Sequence, residues 1–235
     1  MCLRIISIGI CILTIITHDM QAQEWTPFDE KTLIERFAAE NKKLGLPNAT
    51  EQRVVFMGNS ITEGWLQAQP QFWTSHPSYI NRGVSGQTTP QMLLRFRSDV
   101  INLKPKVVVI LAGTNDVAGN TGVTSATTIA HNIFTMADLA KQHGIQVVIC
   151  SILPVYDYIW KPGLQPVPKI KTINTLLQSY ATENGHYYMD YHSVMKDDRE
   201  GLQAALTTDG VHLTLKGYGV MESLLEGEIK KALNN

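Results

Sequence analysis

Short apolar runs alternate with helix-spaced apolar stripes along most of this chain. Val54-Val55-Phe56-Met57 is a four-residue run that breaks at Gly58 and delivers Ser60 two residues later. A run ending in Gly-x-Ser reads as a buried strand feeding a tight turn, with the serine hydroxyl presented at the strand's carboxyl end. Tyr79-Ile80-Asn81 reads as a short second strand, Val107 to Leu111 as a third, Gln146 to Cys150 as a fourth and His186 to Asp190 as a fifth. The unbroken β-branched run at Val107 is the mark of a strand covered on both faces, and so of a parallel sheet.

Helical stripes fill the intervals. Trp25, Phe28, Leu33, Ile34, Phe37 and Leu44 predict a helix within residues 24–50 that lies over the sheet ahead of the first strand. Gly64 to Trp73 predicts a core-facing helix, with Trp65 close enough to Ser60 to line a site. The glycine-rich loop of residues 82–90 feeds another helix, with Thr89 suited to the cap and Pro90 to the first helical position. Ile129, Ile133, Met136 and Ala140 mark a helix that closes at His143-Gly144, an imidazole near the last carbonyls followed by a residue able to take positive φ. Ile170, Ile173, Leu177 and Tyr180 mark the next, ending at Asn184-Gly185, and Leu215, Tyr218, Met221, Leu225 and Ile229 the last.

Strands alternating with helices, without repeats or low-complexity segments, predict an α/β fold: a three-layer sandwich around a parallel five-stranded sheet. Strand order does not follow from the pattern. Right-handed crossovers nonetheless bring alternate loops to one rim, and Ser60, Gly86 and Asn115 each follow a strand at that rim. Ligands bind at that edge of open α/β sheets.

The 235 residues, 44% hydrophobic and 17% charged, suit one domain with a substantial core. A formal net charge of −1 gives no electrostatic case for a nucleic-acid partner. The first 22 residues stand apart: Arg4 precedes a mainly apolar run from Ile5 to Ile16, and Met20-Gln21-Ala22 ends on a small residue. This reads as a secretory signal cleaved near Ala22, leaving one domain over residues 23–235. A run of about a dozen residues falls short of the roughly 20 that span a bilayer. Ile8-Gly9-Ile10 is a poor context for a lipid-bearing cysteine at Cys11. The exported chain would retain Cys150 alone, so no internal disulfide forms, and at the end of an apolar strand it reads as a buried structural thiol.

A serine becomes nucleophilic when a base takes its proton and a third group holds that base in the right tautomer. Asp209-Gly210-Val211-His212 supplies such a pair: three residues apart, the carboxylate can meet one imidazole nitrogen and leave the other for Ser60. The backbone N–H groups of Ser60 and Gly86 and the side-chain amide of Asn115 are candidate oxyanion donors. Gly58-Asn59-Ser60-Ile61-Thr62 is not the Gly-x-Ser-x-Gly elbow of α/β-hydrolases, so another scaffold is implied. No His-Glu-x-x-His or paired-cysteine spacing supports a metal at Asp190, His192, Asp209 and His212. The reading calls for no cofactor. Leu153 to Gly163 is a long loop bearing Tyr156, Tyr158 and Trp160, which either stack on a sugar ring beside the site or anchor the loop.

Together these blocks resemble the SGNH/GDSL hydrolase family. The match rests on Gly58-Asn59-Ser60, on Gly86 within residues 81–86, on Asn115 within Gly113-Thr114-Asn115-Asp116, and on Asp209-Gly210-Val211-His212, in the family's order across residues 54–215. The resemblance implies a flavodoxin-like sheet, Ser60 as nucleophile, Gly86 and Asn115 as oxyanion donors, His212 as base and Asp209 as its orienter. Asn59 stands where the family usually has Asp, and Leu213 where a proline is common; neither change removes a catalytic group. The branch it looks most like is that of the platelet-activating-factor acetylhydrolases, whose exported bacterial members often remove small acyl groups from carbohydrates. An exported short-chain esterase acting on glycan esters is therefore the expectation, against a lipid acylhydrolase or thioesterase and, from another class, a carbohydrate-binding protein without turnover.

Overall fold

The computed structural model describes residues 33–235. Five strands, β1 (Val54–Gly58), β2 (Tyr79–Gly83), β3 (Val107–Leu111), β4 (Gln146–Cys150) and β5 (Tyr187–Met189), form one sheet in the order β2-β1-β3-β4-β5 with every pairing parallel. Nine α-helices in the described residues connect and cover them: α1 (Ala38–Leu44), α2 (Ser60–Ala68), α3 (Pro70–Ser75), α4 (Thr89–Asp99), α5 (Thr114–Ala118), α6 (Ala126–Gln142), α7 (Val167–Asn184), α8 (Tyr191–Met195) and α9 (Leu215–Leu233). No helix among the described residues is long and apolar enough to cross a membrane. The architecture is the expected α/β sandwich with a flavodoxin-like strand order.

Alternation along the strands builds two cores. Val55, Met57, Val108, Ile110, Val147 and Ile149 point into one cluster with α4, α6 and α7; Val54, Phe56, Val107, Val109, Val148 and Cys150 point into the other, with α2, α3, α8 and α9. Strands buried on both faces gain roughly 1.5–3 kcal/mol from each large apolar side chain withdrawn from water, which is why the β-branched runs tolerate no polar interruption. Cys150 is 1% exposed, and burial pushes its thiol up, so it behaves as a small hydrophobe.

Three boundaries depart from expectation. Within the described residues the first helix is only Ala38–Leu44, and none of its residues is buried. It is tied down by polar contacts: Asn41 Nδ2 donates to Asp99 Oδ1 (2.8 Å), while Asn41 Oδ1 accepts from Arg82 Nη2 (2.6 Å). Phe37, just ahead of it, is buried beneath the Arg82 guanidinium, 4.6 Å from the ring centroid. Trp25 and Phe28, like the signal-like segment, lie outside the described residues. The expected helix over Gly64–Trp73 is two helices that meet at Gln69, because Pro70 has no N–H to continue α2 and instead opens α3. The cap of α4 is Thr88, one residue earlier than the sequence suggests, with its N–H held by the Gln91 side chain (2.9 Å).

Strand register prepares the site. Gly58 lies opposite Gly83 on one side and Leu111 on the other, so β1, β2 and β3 end level and release their loops side by side. Gly83 is where β2 passes closest to α2: a Cβ there would collide with the backbone nitrogen of Glu63.

Candidate active site

Ser60 does not sit in a free turn; it is the first residue of α2. Asn59 caps that helix, its side-chain oxygen accepting from the Ile61 N–H at 3.0 Å. Asn59 therefore has a structural task at the position where the resembled family carries Asp. The Ser60 hydroxyl is half-buried and lies 3.0 Å from His212 Nε2. On the far side of the ring, His212 Nδ1 is 2.6 Å from Asp209 Oδ2.

The Asp209 turn is wound tightly around its own carboxylate. Asp209 Oδ1 accepts from the N–H groups of Val211 (2.9 Å) and His212 (2.7 Å), which leaves Oδ2 aimed at the ring. Burial alone would raise this carboxyl, but the imidazole and the two backbone donors outweigh it and hold it below its ordinary value of 3.8. Leu213 is 7% exposed and belongs to the α9-side core, so an apolar anchor stands where a proline would. Two bonds hang α9 on α2: Tyr218 Oη donates to the Ile61 carbonyl, and Trp65 Nε1 donates to Glu222 Oε1, both at 2.8 Å.

The loop bearing Gly86 is held residue by residue. The Val84 N–H donates to the Gly58 carbonyl (3.1 Å), and the Ser85 N–H donates to Glu63 Oε2 (2.8 Å). The Gln87 carbonyl accepts from Asn115 Nδ2 (2.9 Å); the Thr89 N–H donates to Asp116 Oδ2 (2.9 Å), and the Thr89 hydroxyl to Oδ1 (2.6 Å). Gly86 itself is exposed, with φ +77°, a conformation that suits glycine. Asn115 lies on α5, is 5% exposed, and retains a second amide N–H beyond the one given to Gln87. Asp116 is 1% exposed, and its burial raises its carboxyl against the lowering effect of Thr89.

Nothing in the sequence pattern assigns a role to Glu63, Gln87 or Asp116. Each works by gripping another loop, and the signal for that is tertiary. Residues 56–220 match the sequence profile of the GDSL-like lipase/acylhydrolase family. This chain belongs to that family.

Among solved structures, a GDSL-like lipase from Bacteroides thetaiotaomicron VPI-5482 is 44% identical and aligns with a TM-score of 0.83, over 86% of this chain and 98% of that one. Lipoprotein YqeF of Bacillus subtilis (strain 168), named as uncharacterized, is 34% identical over 121 residues, 44% of this chain and 49% of its own. Platelet-activating factor acetylhydrolase IB subunit alpha2 of Homo sapiens is 29% identical over 110 residues, 44% of this chain and 45% of its own. The chain spans about half the length of these curated relatives.

The aromatic residues of this GDSL-like chain separate into two groups. Trp65, expected to line the site, is 1% exposed and packs with Phe56, Phe72, Trp73 and Tyr218 beneath α2; it offers a substrate no surface. Tyr158 is fully buried, its hydroxyl 2.9 Å from both the hydroxyl and the carbonyl of Thr114, so it anchors the loop. Its neighbour Trp160 is 46% exposed, with its ring centroid 6.2 Å from that of His212. Tyr156 is also exposed but faces Arg199, whose guanidinium carbon is 5.0 Å from the ring centroid. Asp157 closes the loop through the N–H groups of Tyr158 (2.9 Å) and Gly163 (2.7 Å), and Lys161 Nζ donates to the Ala118 carbonyl (3.0 Å). Asp190 accepts from the Ser193 N–H (3.1 Å) at the start of α8. A cavity of about 510 Å³ between α1 and β2, lined by Glu40, Leu44, Leu66 and Arg82 among others, does not include Ser60.

Proposed function

We propose that this GDSL-family chain is an exported serine esterase that removes short acyl groups, acetyl above all, from carbohydrate esters through an acyl-enzyme. The observation that carries the reading is the continuous relay from the Ser60 hydroxyl through the His212 imidazole to the Asp209 carboxylate, at 3.0 and 2.6 Å. As Ser60 Oγ attacks the ester carbonyl carbon, its proton passes to His212 Nε2. The resulting oxyanion is met by the N–H groups of Ser60 and Gly86 and by the Asn115 amide, each such donor being worth on the order of a hundredfold or more in rate. Collapse breaks the bond to the alcohol oxygen, which leaves with the proton from His212. Water then attacks the acyl carbon with His212 again as base, and the second collapse frees the acid and restores Ser60.

The acetyl preference is supported by the acetylhydrolase name of the human relative and by the packing beneath Ser60. Ile61, Thr62 and Trp65, directly behind Ser60, are at most 2% exposed and offer a long acyl chain no surface. Support for a sugar on the alcohol side comes from Trp160, an open aromatic face beside the imidazole, fixed in place by the buried Tyr158. The signal-like first 22 residues and the lipoprotein name of the Bacillus subtilis relative support export. An ester panel of acetylated sugars, run on the wild type beside Ser60→Ala, tests the reading. Ser60-dependent release of acetate, falling as acyl length grows on chromogenic esters, is expected; hydrolysis that survives Ser60→Ala, or that rises with chain length, overturns it.

A further inference from the structure

Both backbone elements that carry the proposed oxyanion donors converge on one buried guanidinium. Arg95, on α4, is 0% exposed, and its three nitrogens go to three separate places. Nη2 donates to the Gly58 carbonyl (3.1 Å), Nε to Gln87 Oε1 (2.6 Å) and Nη1 to Asp99 Oδ2 (3.0 Å). Gly58 lies two residues before Ser60, and Gln87 directly follows Gly86. Gln87, 3% exposed, is gripped at its other end as well, where its carbonyl accepts from Asn115. All three candidate donors thus lie within two residues of a group bonded to Arg95 or Gln87.

The ion pair by itself gives no stability reason for this arrangement. Burial works against the charge of Arg95, Asp99 offsets part of that cost, and a buried ion pair is commonly no more stabilising than an apolar replacement of the same volume. An apolar pair would also remove the side-chain link between Gly58 and Gln87. The rigid, forked geometry of arginine can span two loops at once, which a point charge on a flexible stem cannot. Oxyanion donors act only within about 2.7–3.1 Å of the developing charge, so their mutual spacing matters more than their presence.

We propose that Arg95 and Gln87 form a positioning pair that sets the spacing between the Ser60 and Gly86 amides. The proposal rests on the esterase reading above and assigns neither residue contact with substrate. The test compares Gln87→Met, which keeps the volume and removes the acceptor, with Gln87→Glu, which keeps the acceptor, and with Arg95→Lys, which cannot reach both loops. Each is measured for kcat and KM on a chromogenic acetate, for inhibition by a short alkylboronate that mimics the tetrahedral intermediate, and for thermal unfolding.

Gln87→Met and Arg95→Lys are each expected to lower kcat about tenfold with KM changed less than twofold, and to weaken the boronate by a similar factor. Gln87→Glu recovers most of the loss. A Gln87→Met protein that unfolds earlier yet keeps the wild-type kcat and boronate affinity overturns the proposal, as does a change confined to KM. If Gln87→Met fails to fold, Arg95→Lys decides on the same criteria. A wild type without Ser60-dependent hydrolysis overturns the esterase reading and this proposal together, whereas an active wild type with unaffected variants overturns this proposal alone.

Discussion

Tyr218 reaches across 157 residues of sequence to donate its hydroxyl to the Ile61 carbonyl at 2.8 Å, fastening the last helix to the start of α2, the helix that Ser60 opens. Burial pushes the Tyr218 hydroxyl up to about 12, so it stays a donor at any physiological pH. Because His212 lies three residues ahead of α9 and Ser60 opens α2, this bond helps fix the gap between the His212 imidazole and the Ser60 hydroxyl. Tyr218→Phe is expected to cost about 1 kcal/mol of stability in denaturant unfolding. It is also expected to lower kcat severalfold with KM unchanged, since it loosens the relay without touching a substrate surface.

In the proposed relay, Asp209 holds His212 in the tautomer that leaves Nε2 free to take a proton. Asp209→Asn keeps the volume but offers a neutral amide that no longer supports the imidazolium. A fall in kcat of roughly 10⁴-fold is expected, the size seen when this role is removed from a serine relay. The rate of Ser60 labelling by a fluorophosphonate should fall in parallel. A variant retaining a tenth of wild-type kcat would show that the imidazole needs no orienting partner.

Glu63 joins α2 to the glycine loop, accepting from Ser85 and pairing with Arg36. Burial alone would raise its carboxyl, but the Ser85 hydroxyl and N–H and the Arg36 guanidinium outweigh it and lower it from the ordinary 4.5. A depressed carboxyl contributes stability that is fully present above its unfolded value and is lost as pH falls through its folded one. The stability gap between the wild type and Glu63→Gln, about 1 kcal/mol at neutral pH, should therefore be flat above pH 5 and close below 4.5. Urea unfolding at a series of pH values measures it.

Trp160 and Tyr158 are two residues apart and answer to different measurements. Trp160→Ala should lower kcat/KM on acetylated sugars about tenfold, equivalent to about 1.4 kcal/mol of lost stacking, and leave a small chromogenic acetate nearly unchanged. Tyr158→Phe removes a hydroxyl bonded to Thr114 and should lower the thermal midpoint while the sugar-to-chromogenic ratio stays constant. Equal losses on both substrates for Trp160→Ala would argue against a sugar platform.

Local periodicity carried most of the fold. Val107 to Leu111 and Gln146 to Cys150 are strands over those spans, and His143-Gly144 and Asn184-Gly185 end helices, because strand alternation and helix termination depend on residues within a few positions. The weak stripe before Val54 failed for the opposite reason. With no buried face of its own, α1 stands because Asn41 meets Asp99 and Arg82, which are more than 40 positions away. Pro70 splits the apolar spacing of Trp65, Leu66, Phe72 and Trp73 between two helices.

Sequence alone determined the order of the chemical blocks at Ser60, Gly86, Asn115 and Asp209 to His212, and the parallel sheet whose crossovers return them to one rim. Tertiary structure decided which aromatic faces remain open: Trp65 and Tyr158 are buried and Trp160 is not, although all three read alike as aromatic residues near a polar loop. It also decided that Arg95 spans Gly58 and Gln87. Burial and hydrogen-bond partners are set by neighbours supplied from distant parts of the chain, and a linear pattern records only what each residue offers, not what comes to meet it.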